Sequence, residues 1–216
     1  MTEIILVRHG QANSHASDEA GYDRLSALGV QQAEWLGAHL RATNPHFEHV
    51  VTGTLNRQKG TAEAMGYAGY ESDARLDELS YFALAQAVEA QHGIPAPKDA
   101  TEFARYLPQV ITHWAEGGLS GLPETFDAFT ARVASVIDDL NGAGGRVLVV
   151  TSGGVIGMVM RHALHLGIPG LSKVMLQVMN SSLHRVHHVH EMLMVGAFNT
   201  TPHLDTPERA HARTFI

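Results

Sequence analysis

The sequence predicts a three-layer α/β sandwich with a mostly parallel central sheet. Two aliphatic runs, residues 4–7 and 147–150, have the pattern of strands that are buried on both faces. Between them, strand-like and helix-like segments alternate along the chain. Strands that alternate with helices form parallel sheets with helices on both sides. These observations together predict the fold class.

The composition is that of an ordinary globular protein. The 216 residues suffice for one domain with a substantial core, so we expect a single domain over residues 1–216. A formal charge of −7 argues against nonspecific nucleic-acid binding, which needs a basic face. The absence of cysteine excludes disulfides and thiol chemistry. Without a signal-peptide pattern or an apolar run of about 18 residues, we expect a cytoplasmic protein that has no membrane partner.

The remaining elements are predicted from apolar spacing and from turn residues. Ser26 is a plausible N-cap for a helix that extends to about residue 42. We expect a helical cap insertion at about residues 80–122, with helices at 83–92 and 101–116, over the carboxyl edge of the sheet. The other predicted elements are a strand at 49–52, a helix after residue 55, a helix from about 124 to 140, a helix that ends at 167–170, and a hairpin of 183–189 with 192–198.

The first buried run ends in Arg8, His9 and Gly10. In open α/β sheets, ligands bind beyond the carboxyl ends of the strands, which is where these residues would lie. An arginine guanidinium suits phosphate or carboxylate, a neighbouring histidine serves as nucleophile or base, and glycine permits a close approach of the backbone. The simpler interpretation is a strand end with two solvated polar residues.

A second cation is predicted near the start of a helix. Arg57 lies in the first turn after the strand at 49–52, where the helix dipole disfavours a positive charge. Since a helix N-terminus also offers free N–H groups to anions, a cation at this position suggests a ligand that compensates its charge. A surface arginine is the alternative.

These segments resemble the signatures of the histidine phosphatase (phosphoglycerate mutase-like) superfamily, and the resemblance extends over nearly the whole chain. Two departures are Gly53, where the family usually has serine, and residues 80–83, which lack a common Gly-x-Trp-Glu-Gly phrase. The resemblance is carried by Arg8-His9-Gly10, Leu25-Ser26 with Gly29 and Gln32-Ala33, Arg57 with Thr61-Ala62, Leu76 with Glu78, and the phrase at 198–204.

The resemblance implies phosphoryl transfer through a phosphohistidine on His9, with no metal and no other cofactor. Arg8 and Arg57 would hold the phosphoryl oxygens, and Glu78 would protonate the leaving group. The implied ligand is a small-molecule phosphoester or inorganic phosphate. Asp77 is a rival carboxylate to Glu78.

Three further residues are candidates for the same pocket. In the superfamily a polar residue several positions after the histidine contacts phosphate, and both Asn13 and His15 fit that description. His203, in the C-terminal phrase, is a weaker candidate.

The second buried run ends in Thr151-Ser152-Gly153-Gly154, where the superfamily has a second histidine before the glycines. Ser152 stands in its place. A serine donates a hydrogen bond to phosphate, but a charge-assisted bond is roughly twice as strong. Loss of such a donor costs on the order of 10²-fold or more in rate. The N–H groups at Gly153 and at the helix N-terminus behind it would offset part of that cost.

Several interpretations therefore stay open. A phosphatase is expected, a weakened or inactive phosphate-binding member is the alternative, and a mutase needs extra cations that the cap lacks. Ser152 as a hydrolase nucleophile is disfavoured, because Val150 occupies the first glycine position of the Gly-x-Ser-x-Gly motif.

Two groups of side chains are expected to have structural roles. His184, His188 and His190 alternate on one strand face, an arrangement that can chelate a metal. Histidine-rich strands usually bind nothing, so we predict no metal site. Four aromatic residues are expected to form a small core within the cap: Phe82, Phe103, Tyr106 and Trp114.

Overall fold

The computed structural model describes residues 2–13, 16, 18–43 and 46–215. Its six strands form one mixed sheet in the order β3-β2-β4-β1-β5-β6 along the sheet, in which the first four strands are parallel and β5 is antiparallel to both neighbours. The strands are β1 (Glu3–Arg8), β2 (His49–Thr52), β3 (Glu71–Ser72), β4 (Arg146–Thr151), β5 (Leu183–Val189) and β6 (Met192–Thr200). The predicted fold class is confirmed.

Helices cover both faces of this sheet. They are α1 (Glu19–Tyr22), α2 (Ala27–Thr43), α3 (Asn56–Ala64), α4 (Tyr81–His92), α5 (Ala100–Ala115), α6 (Phe126–Asn141), α7 (Gly153–Leu164) and α8 (Ile168–Gln177), with short 3₁₀ turns at Ala74–Leu76, Pro202–Leu204 and Pro207–Ala212. Ser26 caps α2 as predicted, since its Oγ accepts a hydrogen bond from the Gly29 N–H at 3.0 Å. No helix of the described residues is long and apolar enough to cross a membrane.

The central strands supply two cores by simple alternation. On β1, Ile4 and Leu6 pack into the larger cluster, which includes residues of α4–α8. Ile5 and Val7 point to the other side and pack against α2 and α3. Because both faces of β1 and β4 are covered, their sequences are continuously aliphatic rather than alternating.

Besides the four-residue helix α1, two further elements were not predicted from the sequence. Residues 167–170 were interpreted only as the end of a helix, whereas α7 already ends at Leu164 and α8 begins at Ile168 with Pro169 in its first turn. Proline is favoured there because the first N–H groups of a helix have no intrahelical partner. The other missed element is β3, which has only two residues and therefore no periodicity.

Candidate active site

Neighbouring strand ends bring the predicted residues together. In the register between β1 and β4, Arg8 lies opposite Thr151, and the His9 N–H donates to the Thr151 carbonyl at 2.9 Å. His9 and Ser152 therefore leave the sheet side by side. Gly10 is required at the turn, because a Cβ there would lie 2.3 Å from the Gly29 carbonyl oxygen.

A cavity of about 540 Å³ opens at this edge of the sheet. Its cationic end contains Arg8 and Arg57, together with Glu78 and the first residues of α7, Gly153 and Gly154. The structure thus brings four of the predicted site residues to one cavity. His9 is only 1% exposed and is bonded to the cavity-lining Arg57.

His9 is held as a neutral imidazole with a defined tautomer. Its Nδ1 lies 2.7 Å from the Gly10 carbonyl oxygen, which only accepts, so Nδ1 carries the proton. Burial lowers the pKa of His9 well below its ordinary value, and the nearby Arg57 and Arg8 lower it further. The Nε2 lone pair is therefore free of a proton, and it accepts a hydrogen bond from Arg57 Nε at 3.3 Å.

Asp23 holds Arg57 in place. Its carboxylate accepts from Arg57 Nη1 at 3.1 Å and from the backbone N–H groups of Asn56 and Arg57 at 2.9 and 3.1 Å. Asp23 thus balances a guanidinium that is 2% exposed and caps α3 at the same time. The sequence predicted that a ligand would compensate the charge of Arg57. It did not predict Asp23, which lies in a polar loop with no distinguishing local pattern.

Backbone carbonyl groups hold one end of the Arg8 guanidinium, and its Nε remains available as a donor. Its Nη1 donates to the carbonyl oxygens of Val178 and of Phe215, the latter at 2.6 Å. Its buried Nε has no hydrogen-bond partner among the described residues. Since Arg8 lines the cavity, this orientation leaves donors for an anion. Gly153 lies against the same group, because a Cβ at Gly153 would be 3.5 Å from Arg8 Nε.

Glu78, and not Asp77, lies in the cavity. The Glu78 carboxylate accepts from the N–H of Gly154 and from that of Leu79, both at 3.0 Å. It therefore covers the N-terminus of α7, and a Cβ at Gly154 would lie 2.2 Å from its Oε1. Asp77 instead accepts from the backbone N–H and hydroxyl of Thr54, both at 2.5 Å, and supports the loop before α3.

Gln58 links two of the departures from the family pattern, Gly53 and Ser152. Gln58 Nε2 donates to the Ser152 hydroxyl oxygen at 2.9 Å and to the Leu76 carbonyl at 3.0 Å. A side chain at Gly53 would clash with Gln58 Oε1, at 1.9 Å from a Cβ. Gln58 therefore fills the space beside Gly53 and orients Ser152 as an acceptor, which leaves the serine proton to donate elsewhere. No pattern in the sequence predicts Gln58 as part of the site.

The other predicted polar residues are less directly placed. The Asn13 amide donates to the Gly21 carbonyl at 3.1 Å, and Asn13 is not part of the cavity wall. His15 lies outside the described residues. His203 is 2% exposed and its Nε2 is 2.8 Å from the Ser181 hydroxyl, away from the cavity wall. Phosphate contact by Asn13 stays a prediction.

The histidines of β5 do not gather into a cluster. His184 is fully buried against the Ser182 hydroxyl, at 2.9 Å from its Nε2. His190 lies beyond β5 in the turn, with φ of 55°. Among the described residues, no group of three or more histidine, aspartate or glutamate side chains is placed to hold a metal ion.

The four cap aromatic residues do not form one separate core. Tyr106 and Trp114 are 4% exposed and belong to the large cluster that also contains β1 and β4 residues. Phe82 and Phe103 line the cavity, and Phe103 also packs against the large cluster. The expectation was wrong for this pair because α4 and α5 contact both the core and the cavity, and these two rings form part of the cavity wall.

Buried neutral histidines predict acid sensitivity. The pKa of His9 lies well below its ordinary value, and burial lowers the pKa of His184 and of His203 to about 3. Below pH 6.5 these histidines bind protons in the unfolded chain but stay neutral in the folded protein. The free energy of unfolding must therefore decrease as the pH is lowered. From pH 7 to pH 5 we expect a loss of about 2 kcal/mol for each of His184 and His203, and a further loss from His9 in the same direction.

Urea denaturation at both pH values measures this loss. His203→Gln is expected to remove the share of about 2 kcal/mol that His203 contributes. His46→Gln, at a histidine whose side chain is 77% exposed, serves as the matched control and should reduce the loss by less than His203→Gln does. An unfolding free energy that is flat between pH 7 and pH 5 would show that these imidazoles are not held neutral.

The fold and the site define an α/β protein with a neutral histidine between two arginines at the carboxyl edge of its sheet. The sequence profile of the histidine phosphatase superfamily (branch 1) matches residues 4–201, so the chain belongs to that superfamily. A comparison with curated protein sequences finds no match.

Solved structures of the same fold are similar at low sequence identity. A phosphoserine phosphatase mutant from Entamoeba histolytica, in complex with phosphoserine, has a TM-score of 0.68 and 19% identity, over 94% of this chain and 100% of that one. A phosphoglycerate mutase from Bacillus anthracis has a TM-score of 0.65 and 20% identity, over 94% of each chain. A putative α-ribazole-5′-P phosphatase from Escherichia coli has a TM-score of 0.67 and 17% identity, over 93% of this chain and 97% of that one.

Proposed function

We propose that the protein hydrolyses small-molecule phosphomonoesters through a phosphohistidine on His9. The observation that carries the proposal is the neutral His9 imidazole, whose unprotonated Nε2 is bonded to Arg57 while Arg8 lines the same cavity. A neutral imidazole is a nucleophile, and two guanidinium groups match a phosphoryl group in charge and geometry. Membership of the superfamily supports an activity on phosphate esters.

In the first step, His9 Nε2 attacks phosphorus, a P–N bond forms, and the P–O bond to the leaving group breaks. Arg57 Nε must release the Nε2 lone pair first, and it then donates to a phosphoryl oxygen. Arg8 Nε supplies a second donor. Fixed cations stabilise the charge on the transferring group without needing to reorganise.

Glu78 completes both steps as a proton carrier. Its protonated carboxyl group gives a proton to the departing alkoxide oxygen, and the resulting carboxylate then takes a proton from the water that attacks phosphorus. That attack breaks the P–N bond and restores neutral His9 with inorganic phosphate. The ester and one water are thereby converted to an alcohol and phosphate.

The proposed proton transfer predicts the behaviour of Glu78→Gln. An amide cannot supply the proton, so we expect kcat for an alkyl phosphate to fall by about 10²- to 10⁴-fold. Inorganic phosphate should bind more tightly, because the carboxylate that covers the Gly154 N–H is gone. Phosphate-release assays and isothermal calorimetry measure the two effects.

Glu191→Gln is the matched control, since it makes the same change at an exposed carboxylate outside the cavity wall. It should leave the affinity for phosphate unchanged. Equal losses of kcat in the two variants would assign no proton transfer to Glu78.

Ser152 is proposed as a weaker substitute for a second active-site histidine. Ser152 is fully buried and is not part of the cavity wall, but it lies beside His9, and Gln58 fixes its oxygen as an acceptor, so its proton is available to a phosphoryl group on His9. We expect Ser152→Ala to lower kcat/KM by about 10-fold, the loss of one neutral hydrogen bond. Ser152→His combined with Gln58→Ala, which makes room for the larger ring, is expected to raise kcat above that of the wild type.

Rates of the wild type and of Ser152→Ala also distinguish a phosphatase from a phosphate-binding protein that has no catalytic activity. A binding protein would bind phosphate, form no phosphoenzyme with any ester, and show no rate for Ser152→Ala to lower. A rate that Ser152→Ala leaves unchanged would remove Ser152 from the site.

Phosphatase and mutase activities are distinguished by their products. The similar solved structures include proteins named as phosphatases and as a mutase. Release of inorganic phosphate from alkyl phosphates supports hydrolysis. Isomerised phosphoglycerate, formed when a bisphosphoglycerate is added and without release of phosphate, would contradict it.

A further inference from the structure

The outer part of the cavity is an aromatic wall. Tyr22, Phe82, Tyr81 and Phe103 form a continuous row of rings, with successive centroids 6.3, 5.6 and 5.8 Å apart. All four line the cavity. The row starts at the cationic end of the cavity, where the Arg57 guanidinium lies 5.0 Å from the Tyr22 centroid. It ends at Phe103 on α5.

Aliphatic groups extend this wall on the other sides. The cavity is also lined by Leu79, Ala85, Leu107 and Met175, and by the exposed ring of Phe215. The four rings of the wall are half-buried, and the side of each that faces the cavity remains accessible to a ligand. The volume of about 540 Å³ also lies within the range of about 300–1,000 Å³ that holds drug-sized ligands, so space remains beyond a phosphoryl group.

Apart from Arg8, Arg57 and Glu78, two of the three charged residues in the described cavity wall are acidic. Glu19 and Asp99 line the cavity, and the single additional cation of the described wall is Lys98, which is exposed to solvent. A ligand with a carboxylate near its phosphate would meet these side chains without a buried cation to bind it, and like charges at short range are unfavourable.

We infer that the ester's alcohol portion is uncharged and carries an aromatic or similarly bulky apolar group, which packs on the wall of Tyr22, Phe82, Tyr81 and Phe103. This inference rests on the proposed function and names its substrate class. Phosphorylated amino acids and sugar acids are excluded as preferred substrates.

Three alkyl phosphates test the inference, because their leaving oxygens are of the same kind. 2-Phenylethyl phosphate has the ring, ethyl phosphate lacks it, and phosphoserine has charged groups in its place. We expect kcat/KM for 2-phenylethyl phosphate to exceed those for the other two by about 10- to 100-fold, as burial of one ring predicts. A kcat/KM for phosphoserine that equals or exceeds it would overturn the inference.

Variants of the wall locate the preference. Phe103→Ala and Phe82→Ala are each expected to reduce the ratio of kcat/KM for 2-phenylethyl phosphate to that for ethyl phosphate by about 3- to 10-fold. Phe47→Leu, at a ring that packs on Tyr67 away from the cavity, is the matched control and should leave this ratio unchanged. Phe103→Lys, which adds a cation, should shift the preference toward phosphoserine. Ratios unchanged in all the wall variants would overturn the inference.

Binding to His9→Ala separates this inference from the proposed function, because the ester then stays intact. Calorimetry with the same three esters should give the same order of affinities. If the wild type hydrolysed none of them while His9→Ala still bound 2-phenylethyl phosphate about 10-fold or more tightly than ethyl phosphate, the hydrolytic function would be wrong and the ligand class would stand. Equal affinities would overturn the ligand class even if all three esters were hydrolysed.

Discussion

His9→Ala is expected to abolish hydrolysis of phosphomonoesters, with a loss in kcat/KM of about 10⁴-fold or more. The residue supplies the atom that bonds to phosphorus, so no neighbouring group can replace it by a small movement. Phosphate release from ethyl phosphate or 2-phenylethyl phosphate measures the loss. The cavity itself should survive, because Arg57 keeps its ion pair with Asp23.

His46→Ala is the matched control for this substitution, since its side chain is 77% exposed and lies outside the cavity wall. Its rate should equal that of the wild type. Residual turnover in His9→Ala within about 10-fold of the wild type would point to a different nucleophile, and the neighbouring Ser152 would be the first to test.

Arg57→Ala is expected to lower kcat/KM by about 10³-fold, and Arg57→Lys by a smaller factor, because an ammonium group lacks the planar fork of donors. The substitution removes a transition-state contact, so the loss should fall mainly on kcat rather than KM. Arg185→Ala is a suitable control, since its side chain is 52% exposed and lies 3.6 Å from Glu3, outside the cavity wall.

The pH profile gives Arg57 a second and independent readout. Burial is the largest cause of the lowered pKa of His9, and the charge of Arg57 is the second. Only the neutral imidazole attacks phosphorus. In the wild type the rate should therefore not fall as pH decreases through 6.5 on account of His9. Without Arg57 the pKa of His9 rises, so the acid limb of the rate profile should move to higher pH. A purely structural role for Arg57 would leave that limb in place.

The sequence predicted the parts of the site that local patterns encode. The aliphatic runs of β1 and β4 locate two strand ends, and neighbouring parallel strands place those ends together. Arg8, His9 and Gly153 follow directly from that argument. Arg57 was located by its position at the start of α3, and Glu78 by its resemblance to a family motif. In each case the signal lies within about ten residues of the side chain.

The parts that were missed depend on contacts between distant segments. Asp23 is an unremarkable loop residue until α3 brings Arg57 and two backbone N–H groups to its carboxylate. Gln58 is an ordinary helix residue until Gly53 makes room for it and Ser152 meets its amide. Neither contact has a period or a spacing that a single sequence displays.

The most direct test of the account is to locate the phosphoryl group on the enzyme. An alkyl phosphate is mixed with the wild type, the reaction is quenched at alkaline pH, where phosphohistidine persists, and the digest is examined by mass spectrometry. The account predicts one phosphoryl group on His9, formed and lost at rates that support turnover, and none in His9→Ala. Turnover with no phosphorylated intermediate, or with the phosphoryl group on Ser152, would contradict it.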